Sequence, residues 1–214
     1  MMVTRSKAHS VHLAERRQMT AEERRQQIID KSAALFDSGP FQSTSMDDIA
    51  AAVGVAKPTL YHYFNSKSEI LFEIHDQLIE RLLSRHSGPR EGTPSEQLLA
   101  IMNDILGFMQ SRPGHMRVFF ERYRELPEPI QKTIRRKREQ FQTIVEQVLA
   151  DGVKAGEFHD IDIRITSFQI FGACIWAYQW YVPGGRLQPD EIARVFWQQF
   201  LSGIGTGEPR QLTS

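Results

Sequence analysis

Residues 45–67, SMDDIAAAVGVAKPTLYHYFNSK, gather hydrogen-bond donors of several kinds: Lys57, Thr59, Tyr61, His62 and Tyr63. Such donors around a helix N-terminus suit phosphate oxygens and the edges of DNA bases. Nothing in the chain assembles the parts of a catalyst. Cys174 lies in an apolar stretch without an activating base nearby in sequence, and no glycine-rich phosphate loop is present. The seven histidines, at 9, 12, 62, 75, 86, 115 and 159, lack metal-ligand spacing. The expectation is a binding protein, not an enzyme, with no catalytic residue, metal or cofactor.

Two short helices must position these donors. Ser45 is placed to cap the first, with Asp48 reaching back to it, and Ile49 and Val53 fall on one face. Ala50 permits close approach of the second helix, Gly54 suits a left-handed turn, and Val55, Leu60 and Phe64 supply the apolar side of the second helix. A residue before proline is pushed out of the helical region, so Lys57 is expected as N-cap and Pro58 as the first helical residue. Helices at this spacing form a helix-turn-helix whose second member leaves its polar face free. On the pattern alone, an ordinary solvated helix pair is the competing reading.

From residue 24 to residue 83 the chain resembles the N-terminal domain of the tetracycline-repressor (TetR) family of transcriptional regulators. The resemblance is carried by RRQQIIDKSAALFDSG and by the run F-x-S-T-S-M-D-D-I-A-x-x-V-G-V-x-K-P-T-L-Y-x-Y-F-x-S-K-x-E-I-L. It implies that Lys57, Pro58, Thr59 and Tyr61 face the major groove, while Ser45, His62, Tyr63 and Lys67 hold phosphates. Tyr63 stands where many members have histidine, and either side chain can bond a phosphate oxygen. The implied partner is a double-stranded operator, an approximate inverted repeat met by a homodimer.

A DNA-reading module of this size occupies about a third of the 214 residues, so a second domain must follow. The hydrophobic fraction of 41% is that of a globular chain, and the formal net charge of zero leaves any attraction for DNA to local patches. With Cys174 the sole cysteine, no intrachain disulfide can form, and a reducing, cytoplasmic setting is expected. No signal peptide is evident, and the most apolar run, 168–182, falls short of the roughly 20 residues that cross a bilayer.

The chain divides by pattern into a basic flexible arm (1–19), the helix-turn-helix domain (20–66), an effector-binding and dimerisation domain (67–205) and a polar tail (206–214). Thr20 and Glu23 form a capping box opening the first helix, in whose first turns Arg24 and Arg25 oppose the macrodipole and could meet a phosphate or solvent. Ser66 and Glu69 form another box, opening a long helix to about His86 that links the two domains as a lever. Residues 87–93 are a linker. Thr93, Pro94 and Glu96 start the next helix, which breaks at Pro113-Gly114, and a short helix holding Met116, Phe119, Phe120 and Tyr123 follows. A helix from Pro129 to Lys154 carries the run 135–138, whose basic residues spray around its axis and read as a solvated face.

The following helix, capped by Asp160 or Asp162 and drawn to include Trp176, Tyr178, Trp180 and Tyr181, is apolar almost all round. Together with the last helix, near Pro189 to Ile204, it is expected to form a four-helix interface with a second copy. The fold class is thus all-α: a three-helix DNA-binding domain and a helical ligand-binding and dimerisation domain. Met102, Met109, Met116, Phe119 and Phe120 offer polarizable apolar surface for a small-molecule pocket, joined by Phe141, Phe168, Phe171 and Tyr178. Core packing is the plainer reading of each. The segment WAYQWYVPGGRL followed by P-D-E-I-A resembles a TetR subgroup tied to lipid, fatty-acyl or sterol catabolism, which implies a long apolar effector such as an acyl-CoA. Arg122, Arg124 or the run 135–138 could meet its phosphate. A flat aromatic or cationic drug, wanting Glu121, Glu125 or Glu139 toward the cavity, and a protein partner are the alternatives.

Overall fold

The computed structural model describes residues 19–112 and 114–204, so expectations for the N-terminal arm before Met19, for Pro113 and for the tail lie outside it. Among the described residues the chain forms nine α-helices and three short 3-10 turns, with no strand. No helix among them is long and apolar enough to cross a membrane.

Local sequence explains the first half. Helix α1 (Ala21–Ser38) opens on the complete Thr20–Glu23 capping box and buries Ile28, Ile29, Ala33 and Phe36. Helix α2 (Met46–Val53) opens on the complete Ser45–Asp48 box and ends at Gly54, whose φ of 77° is the left-handed conformation that glycine adopts without strain. The N–H groups of Gly54 and Val55 both reach the Ala50 carbonyl at 3.0 Å, closing the tight turn.

Helix α3 (Lys57–Tyr63) corrects one expectation. Ala56, not Lys57, is its N-cap, and Lys57 is the first helical residue with Pro58 second. The extended residue falls one position earlier because the first helical hydrogen bond, Leu60 N–H to the Ala56 carbonyl, closes there. Proline costs nothing at that second position, where its missing N–H would have had no intrahelical partner.

Helix α4 (Lys67–His86) is capped by the Ser66 hydroxyl, which accepts from the Glu69 N–H at 3.2 Å. The expected box is shifted, however: the Glu69 carboxylate accepts from the Asn65 N–H at 2.7 Å, one residue before the cap. Helix α4 packs against α1 on one side and, on the other, against α7 (Glu128–Lys154). Helix α5 (Pro94–Ser111), opened by the Thr93–Glu96 box, packs on α7 and on α9 (Pro189–Ile204). Between α5 and α7 lies the short α6 (His115–Glu121), and Tyr123 falls in a 3-10 turn after it rather than in the helix.

Helix α8 (Ile163–Trp176) is capped by Asp162, which accepts from the Ile165 N–H at 2.9 Å. It ends earlier than expected. Residues 177–179 tighten into a 3-10 turn, where the Trp180 N–H reaches the Ala177 carbonyl at 3.1 Å, and Trp180 and Tyr181 lie beyond it. One apolar cluster runs from Ile28 in α1 to Ile204 in α9, so the helix-turn-helix and the remaining helices share a continuous core.

Candidate DNA interface and ligand cavity

Helix α3 buries only Leu60. Lys57, Pro58, Thr59, Tyr61 and His62 are exposed and Tyr63 is half-buried, its ring meeting that of His62 edge-on at 5.3 Å. Lys57 reaches Asp47 at 2.8 Å, but both side chains are more than half exposed, so a DNA oxygen could replace that carboxylate at small cost. Five of the eight residues nominated for DNA are thus exposed on α3.

Ser45 and Lys67 are differently placed. The Ser45 hydroxyl lies 2.6 Å from the Asp48 carboxylate and accepts from the Asp48 N–H, so it is engaged in holding α2. Lys67 Nζ donates to the carbonyls of Phe41, Gln42 and Thr44 at 2.7, 3.0 and 2.8 Å and sits 4.6 Å from the centre of the Phe41 ring. An ammonium has three hydrogens, and these carbonyls use all of them. Lys67 therefore pins the 3-10 turn Phe41–Ser43 that delivers the chain to the α2 cap. Lys67→Ala is expected to cost about 1–3 kcal/mol of stability by removing the donor these three carbonyls share, and to weaken DNA binding through displacement of α2. Urea unfolding and a DNA titration on the same preparation check this. Unchanged stability with weakened binding would instead assign Lys67 directly to a phosphate.

Helix α1 is strapped to α4, α6 and the end of α5. Arg25 pairs with Glu73 of α4 at 2.7 Å and lies 4.8 Å over the Phe64 ring, so it has a carboxylate without any phosphate. Asp30 pairs with Arg112 and lies 3.1 Å from His115 Nε2. Burial alone would raise the Asp30 pKa, but His115, Gln26 and Arg112 outweigh it and hold the carboxyl below its usual range. Asp37 meets Arg117 of α6 at 3.0 Å, yet burial keeps its pKa raised. Arg122, considered above for a ligand phosphate, donates instead to the Phe36 and Gly39 carbonyls at 3.1 and 3.0 Å.

On its other side α6 faces a cavity of about 260 Å³. Leu78, Ile79 and Leu82 of α4, Ile105 of α5, and Met116, Phe119 and Phe120 of α6 form part of its wall. Arg138, Phe141 and Gln142 of α7 with Phe168, Phe171 and Ile175 of α8 complete it. Six of the nine nominated residues are there. Met102 is fully buried in the core, and Met109 and Tyr178 line a separate, more polar cavity of about 170 Å³ beside Asp37, Arg112 and Arg117.

Arg138 corrects the reading of the basic run. Arg135 and Arg136 are exposed, and Lys137 pairs with Asp76 and Glu80 of α4, but Arg138 turns inward. Its guanidinium lies 4.1 Å from the Phe119 ring centre and 4.6 Å from that of Tyr123, with Nη2 donating to the Phe119 carbonyl at 3.2 Å. Burial lowers its pKa to about 10. The sequence held a signal for this: Ile134, Arg138, Phe141 and Val145 recur at helical spacing on one face, so the arginine occupies a core position. Among the described residues no acidic side chain lines the cavity; Glu121 and Glu139 are exposed, and Glu125 accepts from Gln42.

His75 of α4 is fully buried beside this site, its ring 5.2 Å from Phe119, with Nδ1 2.8 Å from the Leu71 carbonyl. Burial, aided by the Arg138 charge, lowers its pKa from 6.5 to about 4. The folded protein thus favours neutral His75, and its contribution is complete above the unfolded value near 6.5 and lost as pH falls toward 4. The loss should approach about 3 kcal/mol. Urea midpoints compared at pH 7 and pH 4.5 should show it, with His75→Phe flattening the difference.

The comparisons with known proteins agree with this architecture. Residues 28–74 match the model of bacterial regulatory proteins of the tetR family, and residues 91–204 match the tetracyclin repressor-like C-terminal domain. The chain belongs to the TetR family of transcriptional regulators, DNA-binding proteins and not enzymes. It is similar to the HTH-type transcriptional repressor KstR2 of Rhodococcus jostii, 28% identical over 197 residues covering 86% of this chain and 92% of that protein. The ketosteroid regulator KstR2 of Mycobacterium tuberculosis shares the fold, with a TM-score of 0.80 at 23% identity over 89% of this chain and 98% of that one. So does AibR in complex with isovaleryl coenzyme A and operator DNA, with a TM-score of 0.70 at 24% identity over 82% and 97% of the two chains.

Proposed function

We propose that this protein is a ligand-released repressor that binds an inverted-repeat operator as a homodimer, placing α3 of each copy in a major groove. In this reading Lys57, Pro58, Thr59 and Tyr61 meet base edges, and His62 and Tyr63 meet phosphates. The dimer is supported by the apolar outer face of α8, where Ile165, Phe168 and Trp176 are 55%, 48% and 63% exposed.

The observation that carries the ligand response is that α4 and α6 wall the apolar cavity and also hold α1 through Arg25–Glu73, Asp37–Arg117 and Arg122. A ligand that spreads these helices must therefore strain the grip on the DNA-reading module. Tenfold weaker operator binding needs about 1.4 kcal/mol of such coupling.

The effector we propose is an acyl compound such as an acyl-CoA. The apolar wall without a carboxylate supports this over a cationic drug, and the isovaleryl coenzyme A complex of AibR points the same way. At about 260 Å³ the cavity is smaller than the ~300–1,000 Å³ of typical ligand sites, so it suits the acyl group and leaves the coenzyme outside. Titrating the protein–operator complex with acyl-CoA thioesters, free acids and cationic dyes tests the proposal. Thioesters or acids should dissociate it; dissociation by the dyes alone would sink the acyl reading.

A further inference from the structure

Arg138 is the one charged residue in the cavity wall, whose only other polar member is Gln142, and among the described residues no carboxylate pairs with it. Lys137 beside it pairs with two carboxylates, and Arg112 and Arg117 at the second cavity also have acidic partners; Arg138 has three aromatic rings and one backbone carbonyl. Its Nε is buried with no hydrogen-bond partner. Removing a cation from water without pairing it is costly, and interiors that keep such a charge ordinarily compensate it. A purely hydrocarbon ligand would worsen the imbalance by excluding the remaining water from Arg138, whereas a carboxylate would relieve it.

We infer that Arg138 is the recognition residue for an oxygen anion carried on the buried part of the effector, so that the cavity selects an apolar body bearing a carboxylate. The inference rests on the proposal that the cavity binds an acyl effector, and it adds that the buried acyl group is itself charged. Phe119, Phe120 and Tyr123 hold the guanidinium in place through ring contacts of 4.1, 5.6 and 4.6 Å, so its planar donors are pre-organised. Gln142, one turn further along α7, supplies the other polar group of the wall. A free carboxylic acid and the half-thioester of a dicarboxylic acid would both present this chemistry.

Direct binding, followed by tryptophan fluorescence on the full chain without DNA, separates this inference from the proposed release mechanism. Octanoate is compared with octanol, and octanedioyl-CoA with octanoyl-CoA, each on the native protein, Arg138→Met and Arg138→Lys. Native protein should prefer the carboxylate member of at least one pair by tenfold or more. Arg138→Met should erase that preference while octanol binding persists, which reports an intact cavity, and Arg138→Lys should retain part of it. A preference in the first pair identifies a free acid, and one in the second a half-thioester. The inference is overturned if neither pair is discriminated, or if the preference survives in Arg138→Met. If the preference is found but no ligand displaces operator DNA, Arg138 stands and the release mechanism fails.

Discussion

Replacing Lys57 and Tyr61 together by alanine is expected to lower operator affinity by roughly thirty- to a thousandfold, about 2–4 kcal/mol, with little change in melting temperature. Both side chains project from α3 without entering the core, Tyr61 at 43% exposure and Lys57 against an exposed Asp47. Their removal creates no cavity, and Leu60 and Phe64 continue to anchor the helix. Thr59→Ala, also exposed, should shift the preferred operator sequence more than overall affinity, because base contacts specify while phosphate contacts position. Selection of bound fragments from a random DNA pool reads both effects. Full affinity and unchanged preference in the double variant would remove α3 from the interface.

Trp176→Arg is expected to convert the proposed dimer to monomers and weaken operator binding by about 10²–10⁴-fold, since two linked half-sites bind with the gain of effective concentration. Ile165, Phe168, Gly172 and Trp176 lie along one outward face of α8. A Cβ at Gly172 would meet no other atom within 4 Å, so this face can admit a close neighbour. A charge at its most exposed residue would be buried unpaired in the interface yet solvated in the monomer, so the fold should survive. Sedimentation at micromolar concentration and a melting curve together decide. A variant that still sediments as a dimer would place the interface elsewhere.

What lay open to sequence reading was short-range. Thr20–Glu23, Ser45–Asp48 and Thr93–Glu96 each specify a helix start within four consecutive residues, and all three boxes form. Apolar periodicity likewise named most of the cavity wall on α6, α7 and α8. It did not separate Met102, buried in the core, or Met109 and Tyr178, which line the second cavity, because an apolar stripe does not tell which space each of its members borders. Helix α8 ends before the apolar stretch does for a related reason: an apolar stretch marks burial, whereas the 3-10 turn at 177–179 is set by local hydrogen bonding to the Ala177 carbonyl.

By itself the sequence determined the all-α class, the helix-turn-helix and the polar face of α3, since capping, turn chemistry and 3.6-residue spacing act between neighbours a few residues apart. Only the tertiary structure decided what the long cationic side chains do. Lys67 closes on carbonyls near the start of α2, Arg122 crosses to Phe36 and Gly39, and Arg138 turns into the cavity while Lys137 beside it reaches α4. Lysine and arginine combine flexible stems with several donors, so their partners are chosen by what packing brings within reach, often far away along the chain.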